Sequence, residues 1–531
     1  MARFLPATVA IALFLSSSLI RAAIPEPVKL DSGTISGTAG AVAGVRAFKG
    51  IPFAAPPVGD LRWRAPQPVA KWQGVRAADR FGNVCMQPRG VGRQNVSVDL
   101  PDSPPASEDC LYLNVWTAAA AASERRPVMV WIFGGAYTEG AGSSPHNHGD
   151  YLAAKGTVLV SFNYRVGPFG FYSHPELTKE SGRNASGNQA LMDAIAALQW
   201  VKRNIAAFGG DPNNVTIFGE SAGASMIGGL IGSPETKGLF HRAIPESGAW
   251  MGLSMATMRT RASAEQPPAG RGGAAPAPLL PLAELRARPA EEIARTLRGA
   301  GMIIDGWIVP EDLSLTFAQG RQNAVDVLAG SNKDEGTFSG GGNAQQWINQ
   351  VRGRWGDLAD AYLKLYPAGG DAEAVASSQA RFRDEMFWHM RLLADRQVAR
   401  GKKAYLYYFT HEPPYAPGAR NLKATHTVEI PYVFNNLPAP RVFPDASSPE
   451  LAAKSEAERA FADRVSSYWV NFARTGDPNG PGLPKWPAFK DSREPMLLGP
   501  HVPASDVPDA ARFALYDQLY ARQLAQTAGT R

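Results

Sequence analysis

The sequence predicts an α/β protein with a large, mostly parallel central sheet covered by helices on both faces. Three observations carry that expectation. Short apolar, β-branched and aromatic runs alternate with longer stretches of helical period. The strongest runs are continuously apolar rather than alternating, as strands buried on both faces must be. One run opens directly into a Gly-x-Ser-x-Gly turn and then a segment of small residues, a strand–turn–helix junction.

In chain order, residues 127–133 (PVMVWIF) and 157–164 (TVLVSFNY) read as buried central strands. Residues 188–208 have helical period, with Leu191, Ile195, Leu198 and Val201 near one face. A third strand is expected at 214–218 (NVTIF), followed by a helix from Ala222. The fourth is at 325–330 (VDVLAG) and the fifth at 404–409 (AYLYYF). No internal repeat is visible. The low-complexity stretch 263–281 is rich in Pro and Gly and reads as a surface loop or cap remnant.

Composition removes whole classes of function. Of 531 residues, 44% are hydrophobic and 19% charged, enough apolar material for a large core and too little charge for a disordered chain. The 53 glycines and 43 prolines show no collagen-like period. The formal net charge of +6 is dispersed, with no run of five basic residues, so no nucleic-acid partner is implied.

Residues 1–23 read as a secretory signal peptide. Arg3 supplies the positive start, the uncharged stretch 4–20 the apolar centre, and Ala22 or Ala23 the small residues for cleavage. With Pro6 inside it, that stretch falls short of the roughly 20 residues a membrane span needs, and no later segment spans. The expectation is a secreted or periplasmic protein with one domain over 24–531. In an exported chain, the only two cysteines, Cys85 and Cys110, suggest a disulfide. Neither has a Cys or His nearby at ligand spacing, so no metal site is expected.

The chemistry is expected at strand ends. In Gly219-Glu220-Ser221-Ala222-Gly223, a sharp turn lifts the Ser221 hydroxyl clear of the sheet and aims the Ala222 N–H at a developing oxyanion. The turn after PVMVWIF, Gly134-Gly135-Ala136-Tyr137, presents further backbone N–H groups without side-chain obstruction. A nucleophilic serine needs a histidine base, and the base needs an acid to hold its tautomer. In this architecture the order is serine, acid, histidine. Four histidines follow the VDVLAG strand: His389, His411, His426 and His501. His389 lies inside an apparent helix and His501 near the tail. His426, just before an apolar run in KATHTVEIPYVF, is preferred over His411. The acid is Asp334 or Glu335; they are adjacent, and spacing does not choose between them.

Seven motifs together resemble the type B carboxylesterases, the cholinesterase-like branch of the α/β hydrolases: FKGIPFAAPPVGDLRW (48–63), SEDCLYLNVW (107–116), NYRVGPFGF (163–171), GGDPNNVTIFGESAGA (209–224), NKDEGTF (332–338), HTVEIPYVF (426–434) and NFARTGDPNGP (471–481). The resemblance runs from about residue 33 to 489. It implies an α/β-hydrolase fold and a carboxylic-ester hydrolase working through an acyl-enzyme with Ser221, His426 and Glu335. It implies oxyanion donors at Gly135, Ala136 and Ala222, with Ala136 where relatives often carry a third glycine. It pairs Cys85 with Cys110 around a rim loop, and Arg62 with Glu108 and Arg165 with Asp193 as structural ion pairs. Glu220 falls beside the nucleophile and would tune its electrostatics. Ser247 matches a serine behind the site, whose usual neighbour is glutamine rather than Glu246. Trp250 and Met251 fall near the acyl side.

No cofactor is implied, and the expected partner is a small-molecule ester, for a monomer or small homo-oligomer. An amidase, carbamate hydrolase or lipase would use the same triad. A non-catalytic binding module is disfavoured because all three triad positions are kept. The 85–110 loop carries Arg89 and Arg93 but no aromatic residue, so choline esters are not expected to be preferred.

Overall fold

The computed structural model describes residues 23–88, 103–251, 258–266, 278–299, 301–443, 447–501, 503 and 507–529. Residues 1–22 of the expected signal peptide, Arg89 and Arg93, and residues 267–277 of the Pro/Gly-rich stretch lie outside the described residues.

Among the described residues the main sheet holds ten strands. In chain order they are β1 (Thr38–Ala39), β2 (Arg46–Pro52), β3 (Tyr112–Thr117), β4 (Arg126–Ile132), β5 (Val158–Phe162), β6 (Gly210–Glu220), β7 (Arg242–Glu246), β8 (Asp326–Asn332), β9 (Ala404–Phe409) and β10 (Met496–Leu498). Their spatial order is β10-β9-β8-β7-β6-β4-β5-β3-β2-β1. Every pair from β5 to β10 is parallel. The pairs β5–β3, β3–β2 and β2–β1 are antiparallel. The fold is that of the α/β hydrolases, with a mostly parallel sheet as the sequence predicts.

The five expected strands are β4, β5, β6, β8 and β9. Their apolar runs place consecutive residues in the core: every residue of β5 and β9 is buried. A strand with no exposed side needs cover on both faces. Helix α1 (Gln189–Asn204) packs on β6, and α2 (Ala222–Gly232) on β6 and β7. The 28-residue α3 (Asp371–Val398) covers β8 and β9, and α4 (Glu456–Thr475) covers β4 and β6. The expected helix at 188–208 is α-helical only to Asn204 and tightens to a 3-10 turn over Ile205–Phe208.

Five strands escape the sequence pattern. β1, β2 and β3 lie toward the antiparallel edge, and β3 belongs to a motif that carries no alternation signal. β7, RAIPE, is central yet contains Pro245 and two charged residues. Its residues enter the sheet because both neighbouring strands need a partner, a tertiary demand that overrides local propensity. The tenth strand, β10, is only three residues long.

A buried ion pair, a partly buried one and a disulfide brace the connections. Arg165 grips Asp193 on α1 through Nε (2.9 Å) and Nη2 (2.7 Å), with side-chain exposures of 3% and 0%. Arg62 meets Glu108 with two bonds of 2.6 Å and donates to the Leu285 and Arg288 carbonyls. Cys85 and Cys110 are bonded to each other.

Candidate active site

Ser221 stands at the junction of β6 and α2, as the cap residue of the helix, with φ 56° and ψ −121°. That left-handed conformation strains a non-glycine residue and is characteristic of functional positions. Its neighbours explain why the sequence must be Gly-x-Ser-x-Gly. A Cβ on Gly219 would lie 2.3 Å from the Ile132 carbonyl oxygen, and one on Gly223 would lie 2.0 Å from it. The end of β4 therefore crosses so closely that only hydrogen fits at both positions. The turn after β4 is equally tight: a Cβ on Gly135 (φ 109°) would come within 2.1 Å of the Glu139 carbonyl oxygen. Ala136 and Tyr137 continue it with φ of 52° and 65°. Ser247 and Thr427 are also left-handed, so positive-φ residues gather around Ser221.

Ser221 opens onto two cavities. One, of about 340 Å³, is walled by Tyr137, Phe171, Trp250, Met302, Phe382 and Met386. The other, of about 310 Å³, is walled by Trp131, Glu139, His146, Phe338, His426 and Phe443. Ala136 lines both; Ala222 lines the first and Gly135 the second. Trp250 thus reaches the site, whereas Met251 beside it is wholly buried in the core.

The structure separates residues the sequence left together. Glu335 is fully buried, and its Oε2 lies 2.5 Å from His426 Nδ1 while its Oε1 accepts the Asn332 N–H at 2.8 Å. Asp334 turns elsewhere, to Lys333 Nζ (2.9 Å) and the Ala424 N–H (3.2 Å). His411 is engaged by Glu458 at 3.0 Å, remote from the cavities, and His389 is held between the Glu385 and Met251 carbonyls. Of these histidines, only His426 lines a cavity with Ser221. Its ring stacks on Phe338 and meets Phe382 edge-on.

Sequence reasoning missed how many carboxylates surround that imidazole. Glu220 is buried with Oε1 3.1 Å from His426 Nε2. Glu429, three residues after His426, accepts from Asn332 Nδ2 at 2.5 Å and leaves its other oxygen without a partner. Glu246 is the register partner of Glu220 on the next strand; it accepts from Trp469 Nε1 at 2.9 Å and likewise has one oxygen unpartnered. The visible signal for Glu246 was its departure from the usual glutamine.

The cluster sets the electrostatics. Burial opposes a charged His426, but Glu220 and Glu335 outweigh it and push the imidazole up to about 10. Burial pushes Glu220 and Glu246 well above the usual carboxylate range, and Glu429 up to about 7. An unperturbed histidine would lose its proton near pH 6–7; here the flanking carboxylates move that step upward. Among the described residues, no cluster of side chains could hold a metal ion, and no helix is long and apolar enough to cross a membrane.

A family model described as the carboxylesterase family matches residues 25–504. The chain is similar to a fumonisin B1 esterase from Sphingopyxis macrogoltabida, 37% identical over 503 residues, covering 91% of this chain and 88% of that one. It is 34% identical over 495 residues to a para-nitrobenzyl esterase from Bacillus subtilis (strain 168), covering 88% and 94%. A solved structure of a thermophylic PNB esterase superposes with a TM-score of 0.74 at 33% identity, covering 89% of this chain and 95% of that one. The chain belongs to the carboxylesterase family and is a carboxylic-ester hydrolase.

Proposed function

We propose that ester cleavage runs through an acyl-enzyme on Ser221. His426 takes the proton from the Ser221 hydroxyl as the oxygen attacks the ester carbonyl, and returns it to the departing alcohol. Glu335 holds the imidazole's tautomer through Nδ1 and stabilises the imidazolium. The backbone N–H groups of Gly135, Ala136 and Ala222 receive the oxyanion, and water activated by His426 then releases the acid. Glu220 shares a proton with His426: the neutral base is reached when that proton leaves or passes to the Glu220 carboxylate. The chemistry needs no cofactor, and the proposed substrates are small neutral esters.

The observation that carries this reading is the left-handed Ser221 at a strand–helix junction, lining one cavity with a histidine held by a buried glutamate. The ester-cleaving relatives favour the same chemistry. A fluorophosphonate probe should inactivate the enzyme at one equivalent, with the mass increase on Ser221. Ser221→Ala should keep the fold and lose at least about a thousandfold in kcat. Labelling elsewhere, or activity surviving in the variant, would overturn it. We further propose export by residues 1–23, cleavage near Ala22 or Ala23, and a single domain over 24–531. N-terminal sequencing of protein from the oxidising compartment checks the cleavage.

A further inference from the structure

The 340 Å³ cavity is mostly apolar, yet one of its walls carries a buried acid. Glu385, on α3, is 3% exposed and lines the cavity with Phe382 and Met386. The spacing places all three on one helical face, and His389, one turn on, anchors that face to the Met251 carbonyl. Glu385 Oε2 is matched by the Arg381 guanidinium at 2.9 Å; Oε1 is buried without a hydrogen-bond partner. Trp250 Nε1, on another wall of the same cavity, is a buried donor without a partner.

We propose that Glu385 is a specificity residue that accepts a hydrogen bond from a hydroxyl on the acyl group of the substrate. The proposal rests on the ester-cleavage reading above. The leaving alcohol must lie within reach of His426, so it occupies the cavity His426 lines, and the acyl group occupies the other. Because Arg381 already balances the carboxylate charge, the free oxygen suits a neutral donor better than an ammonium. A hydroxyl also offers an acceptor to Trp250. Tyr137, Phe171 and Phe382 suit an aryl body between ester and hydroxyl. The implied substrates are esters of hydroxyaryl-alkanoic acids. An analogue lacking the hydroxyl would seal a carboxylate oxygen in an apolar pocket with no partner, the situation that gives polar sites their strongest discrimination.

The test compares kcat/KM for methyl 3-(4-hydroxyphenyl)propanoate and its 4-methyl counterpart, which differ only in the terminal group. Wild type should prefer the hydroxyl ester by at least about tenfold. Glu385→Gln keeps shape but weakens the acceptor, and should cut that ratio at least about threefold. Glu385→Leu should bring it to one or below. Comparing a ratio within each variant cancels differences in folded fraction. A wild-type ratio near one overturns the proposal, as does a ratio unchanged in Glu385→Gln; if Glu385→Leu does not fold, those two results decide. Hydrolysis of 4-nitrophenyl acetate that survives Ser221→Ala would count instead against the nucleophile assignment.

Discussion

Buried charge is handled in opposite ways in two regions of this molecule. In the scaffold, Arg165 and Asp193 meet with two direct bonds, and Arg62 and Glu108 with two more, so each buried carboxylate is matched to a guanidinium. Around His426, three buried carboxyl groups (Glu220, Glu335 and Glu429) surround a single imidazole, and a fourth, Glu246, lies beside Glu220 on the next strand. The matched pairs lock connections in place and have no proton to give. In the mechanism proposed above, the unmatched cluster lies where a proton must move. The contrast teaches that burial alone does not mark a functional charge; the imbalance of signs within the buried group does.

The largest effect that could break this comparison is at the imidazole. His426→Ala should lower kcat by at least about a thousandfold, whereas His411→Ala should stay within a few-fold of wild type, because His411 is already engaged by Glu458. Steady-state kinetics on a chromogenic ester decides it, and a reversed order would move the base to His411.

Next comes stability. Asp193→Ala strands the Arg165 guanidinium in the core and should cost about 3–5 kcal/mol in urea denaturation, with the kcat of the remaining folded enzyme little changed. Glu246→Gln should do the opposite, because the amide keeps the acceptor for Trp469 and removes an acid that burial disfavours when charged. Its sign with pH follows from linkage. A folded-state carboxyl held above its unfolded value keeps its proton while the unfolded chain releases one, so wild-type stability falls as pH rises past about 4–5. The advantage of Glu246→Gln should therefore grow from pH 5 to 8, by up to about 1.4 kcal/mol per pH unit. An advantage that is flat or shrinking with pH would show that Glu246 is matched after all.

The smallest effect is a shift rather than a loss. Because His426 is raised, kcat/KM should fall on acidification with a midpoint above the ordinary histidine value of about 6.5. Glu220→Gln removes one of the three carboxylates that raise it, the first of them, and should move that limb down by about one pH unit or more. A limb that stays in place would leave Glu335 and Glu429 as the sources of the shift.

Much of this was legible from residue order because it depends on local or short-range requirements. Continuous apolar runs can be stable only as strands covered on both faces, and β4, β5, β6, β8 and β9 appear where those runs lie. Gly219 and Gly223 announce the turn at Ser221, and a strand passing within van der Waals contact explains them. The pairing of Arg62 and Arg165 with their acids was carried by family motifs, whereas the cysteine pairing followed from there being only two. Other features arise only when distant segments meet. β7 is a strand because β6 and β8 flank it, despite Pro245 and its charges. Asp334 and Glu335 are adjacent, and it is the chain folding back at 422–429 that gives one the Ala424 N–H and the other His426. Nothing in its own helical stretch marks Glu385; its burial at the cavity it shares with Ser221 comes from α3 packing across β8 and β9, with His389 held to the Met251 carbonyl. Periodicity records which face of an element is apolar, but whether a charged residue on it meets solvent, a counter-ion or a substrate is set by what packs opposite.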